Sequence, residues 1–369
     1  MATVIIRTAE YQYEEIRSIV FEMLEKLAGD KIRSGSRVLI KPNMLSAARP
    51  EDAILTHPQI IKAAVEYTLE KNARPQVSDS PAIGSFEGIL KQNGTAEALR
   101  GMPVACVPFK DTVPVDIGKP YGRIDIARDA METDVIINLP KLKTHSQMLM
   151  TLAVKNMFGC IVGFKKSQWH MRAGVDTPAF ARLLVAIHQA VKPTVSILDG
   201  VLALEGDGPG KGGIPRKIGV LIGSENSYAL DRVVCEMIDV HYENVPTLKI
   251  ARDERFIPAL DIDGVLPQVR NFQLPGGSRL IFGPRVMQDF FRRHTVALPV
   301  CEQPLCQMCG KCWTICPADA IQNAENAIEF DYAKCIRCYC CVEICPYGAL
   351  RSRESLGGSI TRRLIDAFS

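Results

Sequence analysis

Eight cysteines toward the C-terminal end of this 369-residue chain stand at spacings suited to metal-cluster chemistry. Cys306, Cys309, Cys312 and Cys316 are separated by two, two and three residues, and Pro317 follows. Cys335, Cys338, Cys341 and Cys345 repeat that spacing 29 residues later, with Pro346 behind them. Ala320-Ile321 recurs as Ala349-Leu350, so the repeat extends beyond the sulfur atoms. Three closely spaced thiolates on one loop can wrap one face of a cubic cluster, and a fourth must come from elsewhere. In a doubled run of this spacing the fourth cysteine of each run ligates the other cluster. The expectation is therefore two 4Fe–4S clusters. One would take Cys306, Cys309, Cys312 and Cys345, and the other Cys335, Cys338, Cys341 and Cys316. Zinc also uses Cys-x2-Cys pairs, but it has little need of a doubled four-cysteine run with trailing prolines. Cys301 and Cys340 fall outside the pattern and read as packed thiols.

A second set of reactive side chains sits where apolar runs stop. Val38-Leu39-Ile40 leads to Lys41-Pro42-Asn43, and Val77 leads to Ser78-Asp79. Val135-Ile136-Ile137 leads to Asn138 and then to Pro140-Lys141-Leu142-Lys143-Thr144-His145, and Val195–Leu198 leads to Asp199-Gly200. Ligands of open α/β sheets bind beyond the carboxyl ends of the strands, so these four ends could converge on one site. Asp79 and Asp199 read equally well as turn residues. Lys41 and Lys141, each beside a proline, do not, and they read as functional.

Charge points the same way. Residues 135–175 contain no Asp or Glu, while Lys141, Lys143, Lys155, Lys165, Lys166 and Arg172 give +6. His145 and His170 can add to it. Such a run attracts an anion: a small substrate or cofactor, the acidic cluster segment or an acidic electron donor. A solvated basic face is the bland alternative. The candidate ligand-binding set is Lys41, Asn43, Asp79, Asn138, Lys141, Lys143, Lys155 and Asp199, with His145 or Asp79 as the group that moves a proton. Cys160 borders the basic run and could be an activated thiol, although a buried inert one fits its apolar setting better. Cys106, Cys235 and His188 lie in apolar patterns and read as core. Phe164 and Trp169 read as packing residues. The glycine-rich stretch Glu205–Gly213 fails the phosphate-loop pattern and reads as a mobile loop that closes over the site.

The elements that must position these groups alternate along the first 270 residues. Strands are predicted at Thr3–Arg7, Arg37–Ile40, Gln76–Asp79, Val104–Val107, Asp134–Asn138, Thr194–Asp199 and Ile218–Ile222. Helices are predicted at Tyr13–Leu27, Pro58–Lys71 (capped by Thr56), Ala179–Val191 and Tyr228–Val240. That order implies an α/β class: a large domain over 1–295 with a mainly parallel sheet flanked by helices. A small α+β module would follow over 300–352, and a tail over 353–369 has the spacing of a short helix.

Composition sets the outer limits. Ten of thirteen cysteines lie between 301 and 345, which argues for metal rather than a disulfide framework. No signal peptide or spanning segment is readable, so the expected location is cytoplasmic, with no membrane partner. A pI near 8.2 without a recognition motif gives no reason to expect nucleic acid. Residues 301–350 carry −3 against about +4 over 1–300, so an acidic module is tethered to a mildly basic body.

The doubled cysteine run is the bacterial two-cluster ferredoxin pattern. Lys41-Pro42-Asn43, Pro140–His145, Lys155-Asn156 with Gly159, and Glu205–Pro209 resemble the family catalogued as domain of unknown function 362, over most of residues 35–245. That family is often joined to iron–sulfur domains, and its reaction is not established, so the resemblance supports the domain division and leaves the substrate open. The leading expectation is an iron–sulfur oxidoreductase that passes electrons between an external carrier and an anion-binding site in the large domain. An electron-transfer partner without chemistry of its own, or a redox-sensing binding protein, stands beside it.

Overall fold

A computed structural model describes residues 1–275, apart from 83, 164, 174 and 175, and residues 297–353, apart from 325 and 326. The seven predicted strands form close to where they were expected, and five more in the large domain, over residues 112–116, 123–127, 141–145, 149–151 and 260–263, were not predicted. These are β1 (Ala2–Thr8), β2 (Arg37–Pro42), β3 (Arg74–Val77), β4 (Ala105–Cys106), the hairpin β5 (Thr112–Asp116) and β6 (Arg123–Ala127), β7 (Val135–Leu139), β8 (Lys141–His145), β9 (Leu149–Thr151), β10 (Val195–Gly206), β11 (Gly213–Ser224) and β12 (Leu260–Asp263). All but β5 and β6 join one ten-stranded sheet, in the order β12-β1-β11-β10-β7-β2-β3-β4, with β8 and β9 branching from β10. From β4 to β10 every neighbour is parallel, and β11 runs antiparallel between β10 and β1.

The parallel strands are apolar on both faces because helices cover both. Helices Tyr13–Ala28 and Pro58–Glu70 bury Ile16, Val20, Leu24, Ile60 and Ile61 on one face. Helices Thr177–Val191 and Ser227–Met237 bury Phe180, Leu184, Val233 and Val234 on the other. The cap of helix Pro58–Glu70 is His57, whose Nδ1 accepts from the Gln59 N–H at 3.3 Å. Thr56, expected in that role, instead donates its hydroxyl to the Leu139 carbonyl at 2.7 Å and so ties β2 to β7.

Two strands run longer than expected. β10 and β11 continue as a hairpin through Gly206 and Gly213, so the glycine-rich stretch is their connection. It is pinned and does not form a free lid. The Gly208 carbonyl accepts from the Ser146 backbone and hydroxyl, and Gly208 lies so close to Thr144 that a Cβ would overlap its backbone.

The C-terminal module repeats in structure as it does in sequence. β13 (Leu298–Cys301) pairs antiparallel with β16 (Leu350–Arg353), and β14 (Ile321–Ala324) pairs with β15 (Ala327–Phe330). Helices Lys311–Ile315 and Cys340–Ile344 are 29 residues apart. Left-handed residues recur at the same offset: Met308 and Arg337, Gly310 and Tyr339, Asp319 and Gly348. Cys316 and Cys345 share φ −65 and ψ 111. The expected linker beyond residue 275 and the expected tail helix fall outside the described residues.

His188, packed edge-on against Tyr228, is pushed down to about 3 by burial, and His57 to about 4. Both are therefore neutral in the fold. Unfolded histidines titrate near 6.5, so between that value and the depressed one the unfolded chain binds more protons. Their stabilisation is complete above about pH 6.5 and is lost as the pH falls toward 4, about 2 kcal/mol for His188 by pH 5. The thermal unfolding midpoint should fall from pH 7 to pH 5, and His188→Phe should flatten that slope. Equal slopes in the two proteins would contradict the assignment.

Candidate functional site

β2 delivers Lys41 to its carboxyl end with 0% exposure. A buried ammonium needs a partner, and the Lys41 Nζ lies 2.9 Å from the Asp79 Oδ1 just beyond β3. It also donates to the Pro42 carbonyl at 2.9 Å. Asp79 is held in turn by the N–H groups of Met44 and Ser80, at 2.9 and 2.8 Å. Gly159 presses on this pair, and a Cβ there would overlap both the Asp79 Oδ1 and the Lys41 Nζ.

A chain of amides extends the pair. Asn43 donates to the Asn156 Oδ1 at 2.9 Å, and Asn156 donates to the Asn138 Oδ1 at 2.8 Å. Asn138 donates to the Ser196 hydroxyl at 2.9 Å. Lys143 donates to the Asn43 Oδ1 and to the Ile54 carbonyl, both at 2.8 Å. Burial, together with nearby Lys155, pushes Lys143 down to about 7. The one-turn helix Ala153–Asn156 that carries Lys155 and Asn156 is capped by Asp231, which accepts from the N–H groups of Ala153 and Val154 at 2.8 and 3.1 Å.

These groups line a cavity of about 430 Å3. Its floor includes Lys41, Asn43, Asp79, Lys143, Lys155 and Lys166, and its wall includes Met44, Leu45 and Phe158. Its roof is the C-terminal module, with Cys309, Lys311 and Ile315 from one repeat and Cys340, Glu343 and Ile344 from the other. The basic run thus both seats the acidic module and lines the space beneath it.

The seat itself is a histidine–carboxylate contact. His145 Nδ1 accepts from the N–H groups of Gln147 and Met148, each at 3.1 Å, which leaves the ring proton on Nε2. That Nε2 lies 2.7 Å from the Glu343 Oε1. Burial pushes His145 down to about 4, so its ring is neutral. Burial would raise the Glu343 carboxyl, but the His145 contact and nearby Lys155 outweigh it and hold the group at about 2. The roof is also fixed by Ser352, which donates to the Asp207 Oδ1 at 3.0 Å, and by Gly210 against the Glu343 backbone.

Five of the expected ligand-binding residues therefore meet at the cavity: Lys41, Asn43, Asp79, Lys143 and Lys155. Three do not. Lys141 is fully buried, donating to the Asp199 Oδ2 at 2.8 Å and to the Tyr11 hydroxyl at 2.9 Å, beside the Tyr11–His57 stack. Lys141 and Asp199, expected as ligand-binding residues, thus pair with each other inside the fold and do not line this cavity. Asn138 lies behind the cavity and orients Asn156. His145, expected as a proton carrier, is occupied by Glu343 and does not line the cavity. Lys165 pairs with Asp125 at 2.6 Å on the surface. Cys160 is an inert buried thiol, pushed up to about 12 by burial. Ser80, Phe158, Lys166, His170 and Glu343 are lining residues that no spacing singled out. For Lys166 and His170 the acid-free run was the available signal.

The module's cysteines sit as cluster ligands would. One cavity is lined by Cys306, Cys309, Cys312 and Cys345 together. Burial pushes the Cys341 thiol up, together with the charges of Cys338, Cys335, Cys316 and Cys312 that it feels. The N–H groups of Ala320 and Ala349 point at the sulfurs of Cys316 and Cys345, both at 3.3 Å. Cys345 of the second run has thus crossed to the first, and the cysteine set suits iron–sulfur chemistry.

Residues 38–236 match the model of the family described as domain of unknown function (DUF362). This chain belongs to that family. Residues 298–346 match the 4Fe-4S dicluster domain model, so the module is a ferredoxin-type, electron-transport iron–sulfur domain. A thylakoid-associated protein of Synechocystis sp. is 36% identical over 317 residues, covering 83% of this chain and 98% of its own. Over the module alone, one component of an ion-translocating oxidoreductase complex from Methanosarcina acetivorans is 46% identical across 15% of this chain and 20% of its own length. The PorD component of pyruvate synthase from Methanocaldococcus jannaschii is 36% identical across 14% of this chain and 62% of its own. Among the described residues no helix is long and apolar enough to cross a membrane.

Lys41→Met should destabilise the protein by about 3–5 kcal/mol in denaturant unfolding, because it strands the buried Asp79 carboxylate. Gly159→Ala should cost about 1–3 kcal/mol by forcing the pair apart. Lys165→Met, at an exposed pair, should change stability by under about 1 kcal/mol. Similar losses in all three would show that the Lys41–Asp79 contact is not specially constrained.

Proposed function

We propose that this DUF362 protein is an iron–sulfur oxidoreductase that binds an anionic small molecule in the cavity between its large domain and its ferredoxin module. The observation carrying this reading is that one cavity is lined both by Cys309, a cluster-ligand candidate, and by Lys41, Lys143, Lys155 and Lys166. Cys306, Cys309, Cys312 and Cys345 would hold one 4Fe–4S cluster, and Cys335, Cys338, Cys341 and Cys316 a second. When bound, these clusters supply single electrons, exchanged with an external carrier.

The chain's own residues supply binding, orientation and protons. Lys155 and Lys166 present positive charge to the anion, and Ile315 and Ile344 of the roof limit water. Lys143, brought near neutrality by burial, can give or take a proton at Nζ while Asn43 and Ile54 hold it in place. A second reading has support in the names of the module's relatives, which are components of redox enzymes and complexes. On that reading the large domain would be a docking platform with no chemistry of its own.

Anaerobic reconstitution should give about eight irons per chain, reducible by dithionite. One class of organic anion should speed reoxidation, and Lys155→Met should slow that step at least about tenfold, ~1.4 kcal/mol, with iron content unchanged. If Lys155→Met and Lys143→Met both leave reoxidation by every small anion untouched yet weaken association with a redox partner, the enzyme reading fails.

A further inference from the structure

The cavity's lysines are not equivalent, and the differences define a ligand. Lys41 is committed to Asp79 and Pro42, and Lys143 to Asn43 and Ile54. Lys166 gives one donor to the Ser80 carbonyl. Lys155 alone among these four makes no hydrogen bond and no ion pair with the described residues, although Glu343 and the Cys340 thiol lie near it. His170 supplies a second uncommitted group. It is 4% exposed, it lines the same cavity, and its Nδ1 has no hydrogen-bond partner among the described residues. A buried polar atom in that state calls for a partner that is not part of the chain. Phe158 stands edge-on to the His170 ring at 5.5 Å, so the imidazole is fixed against an aromatic wall.

Met44, Leu45, Ala82, Phe158, Ile315 and Ile344 supply the apolar part of the surface, beside polar groups that include Thr151, Lys311 and Thr314. No arginine is among the described lining residues, so the planar fork that favours phosphate recognition is absent from that set. Lys155 and the module's Lys311 are the lining ammonium groups without a hydrogen bond or ion pair among the described residues, and the Glu343 carboxylate near Lys155 offsets part of that charge, so the cavity matches a carboxylate better than a phosphate monoester of about two charges. A cavity of about 430 Å3 suits a small organic molecule.

We propose that the ligand is an organic carboxylate with an apolar body and one further hydrogen-bonding group. The carboxylate pairs with Lys155, the body lies between Phe158 and the module's Ile315 and Ile344, and the third group meets His170. This deepens the anion-binding reading above and rests on it. Lys155 is the headgroup anchor, and His170 is the residue that tells a hydroxylated or oxo acid from a plain one.

The test is calorimetric titration of the reconstituted, cluster-loaded protein with acetate, inorganic phosphate, 3-phenylpropanoate, its amide, and 3-phenyllactate. Phenylpropanoate should bind at least about tenfold tighter than acetate or the amide, and phenyllactate tighter still. Lys155→Met should remove the preference for acid over amide. His170→Phe should keep phenylpropanoate binding and abolish the gain from the hydroxyl, a pattern that general unfolding cannot produce. Lys165→Met should behave as wild type. Phosphate binding tighter than phenylpropanoate, or a Lys155→Met protein with unchanged selectivity, would overturn the proposal. An acid that binds as described but never alters reoxidation supports this ligand class and counts against the redox reading alone.

Discussion

The structure depends on the burial of ammonium groups at the carboxyl ends of parallel strands. Taking a lysine out of water is unfavourable unless a carboxylate or carbonyls meet it, and here each such lysine is met differently. Lys41 has Asp79, Lys141 has Asp199 with Tyr11, and Lys143 has an amide and a carbonyl. Each demand fixes a neighbour. Asp79 needs the backbone turn at Met44 and Ser80, Gly159 must lack a side chain, and Asn156 must face Asn43 and Asn138 at once. A network in which every member is satisfied is rigid, which is what a site facing a redox module requires. Lys155 breaks the pattern by having no such partner among the described residues.

The same electrostatics join the two parts of the chain. A module that is acidic before any cluster is added meets the stretch of the large domain that has no acidic residue. The contact is more specific than charge alone. Two backbone N–H groups set the tautomer of His145, and the remaining Nε2–H addresses one carboxylate oxygen of Glu343. Glu343 sits on the helix between Cys341 and Cys345, so the contact that seats the roof also sets the height of the cysteine loops above the cavity. Gly210, at the tip of the β10–β11 hairpin, completes the seat against that helix.

Much of this was legible in the residues. The 29-residue cysteine repeat reappears as paired strands, paired helices and three pairs of left-handed residues, because local backbone demands travel with the repeat. The strand ends of β2 and β3 meet as expected. Lys141 could not be told from Lys41, since both follow apolar runs and stand beside a proline. What separates them is the face of the sheet. Leu39, two residues before Lys41, packs in one apolar layer, whereas Lys141 meets Tyr11, which packs against the other. Glu343 was hidden for another reason: inside a cysteine motif it looks like spacing. His57 took the cap from Thr56 because the Thr56 hydroxyl was claimed by Leu139, a long-range partner that no local pattern reveals.

The central claim is that a small anion sits directly beneath the cluster module. Electron–nuclear double resonance on the dithionite-reduced protein, saturated with carboxyl-13C phenylpropanoate, tests it most directly. The account predicts resolved 13C coupling to a cluster spin in the wild-type protein and none in Lys155→Met. Saturating, Lys155-independent binding with no 13C coupling would place the ligand elsewhere and contradict the account.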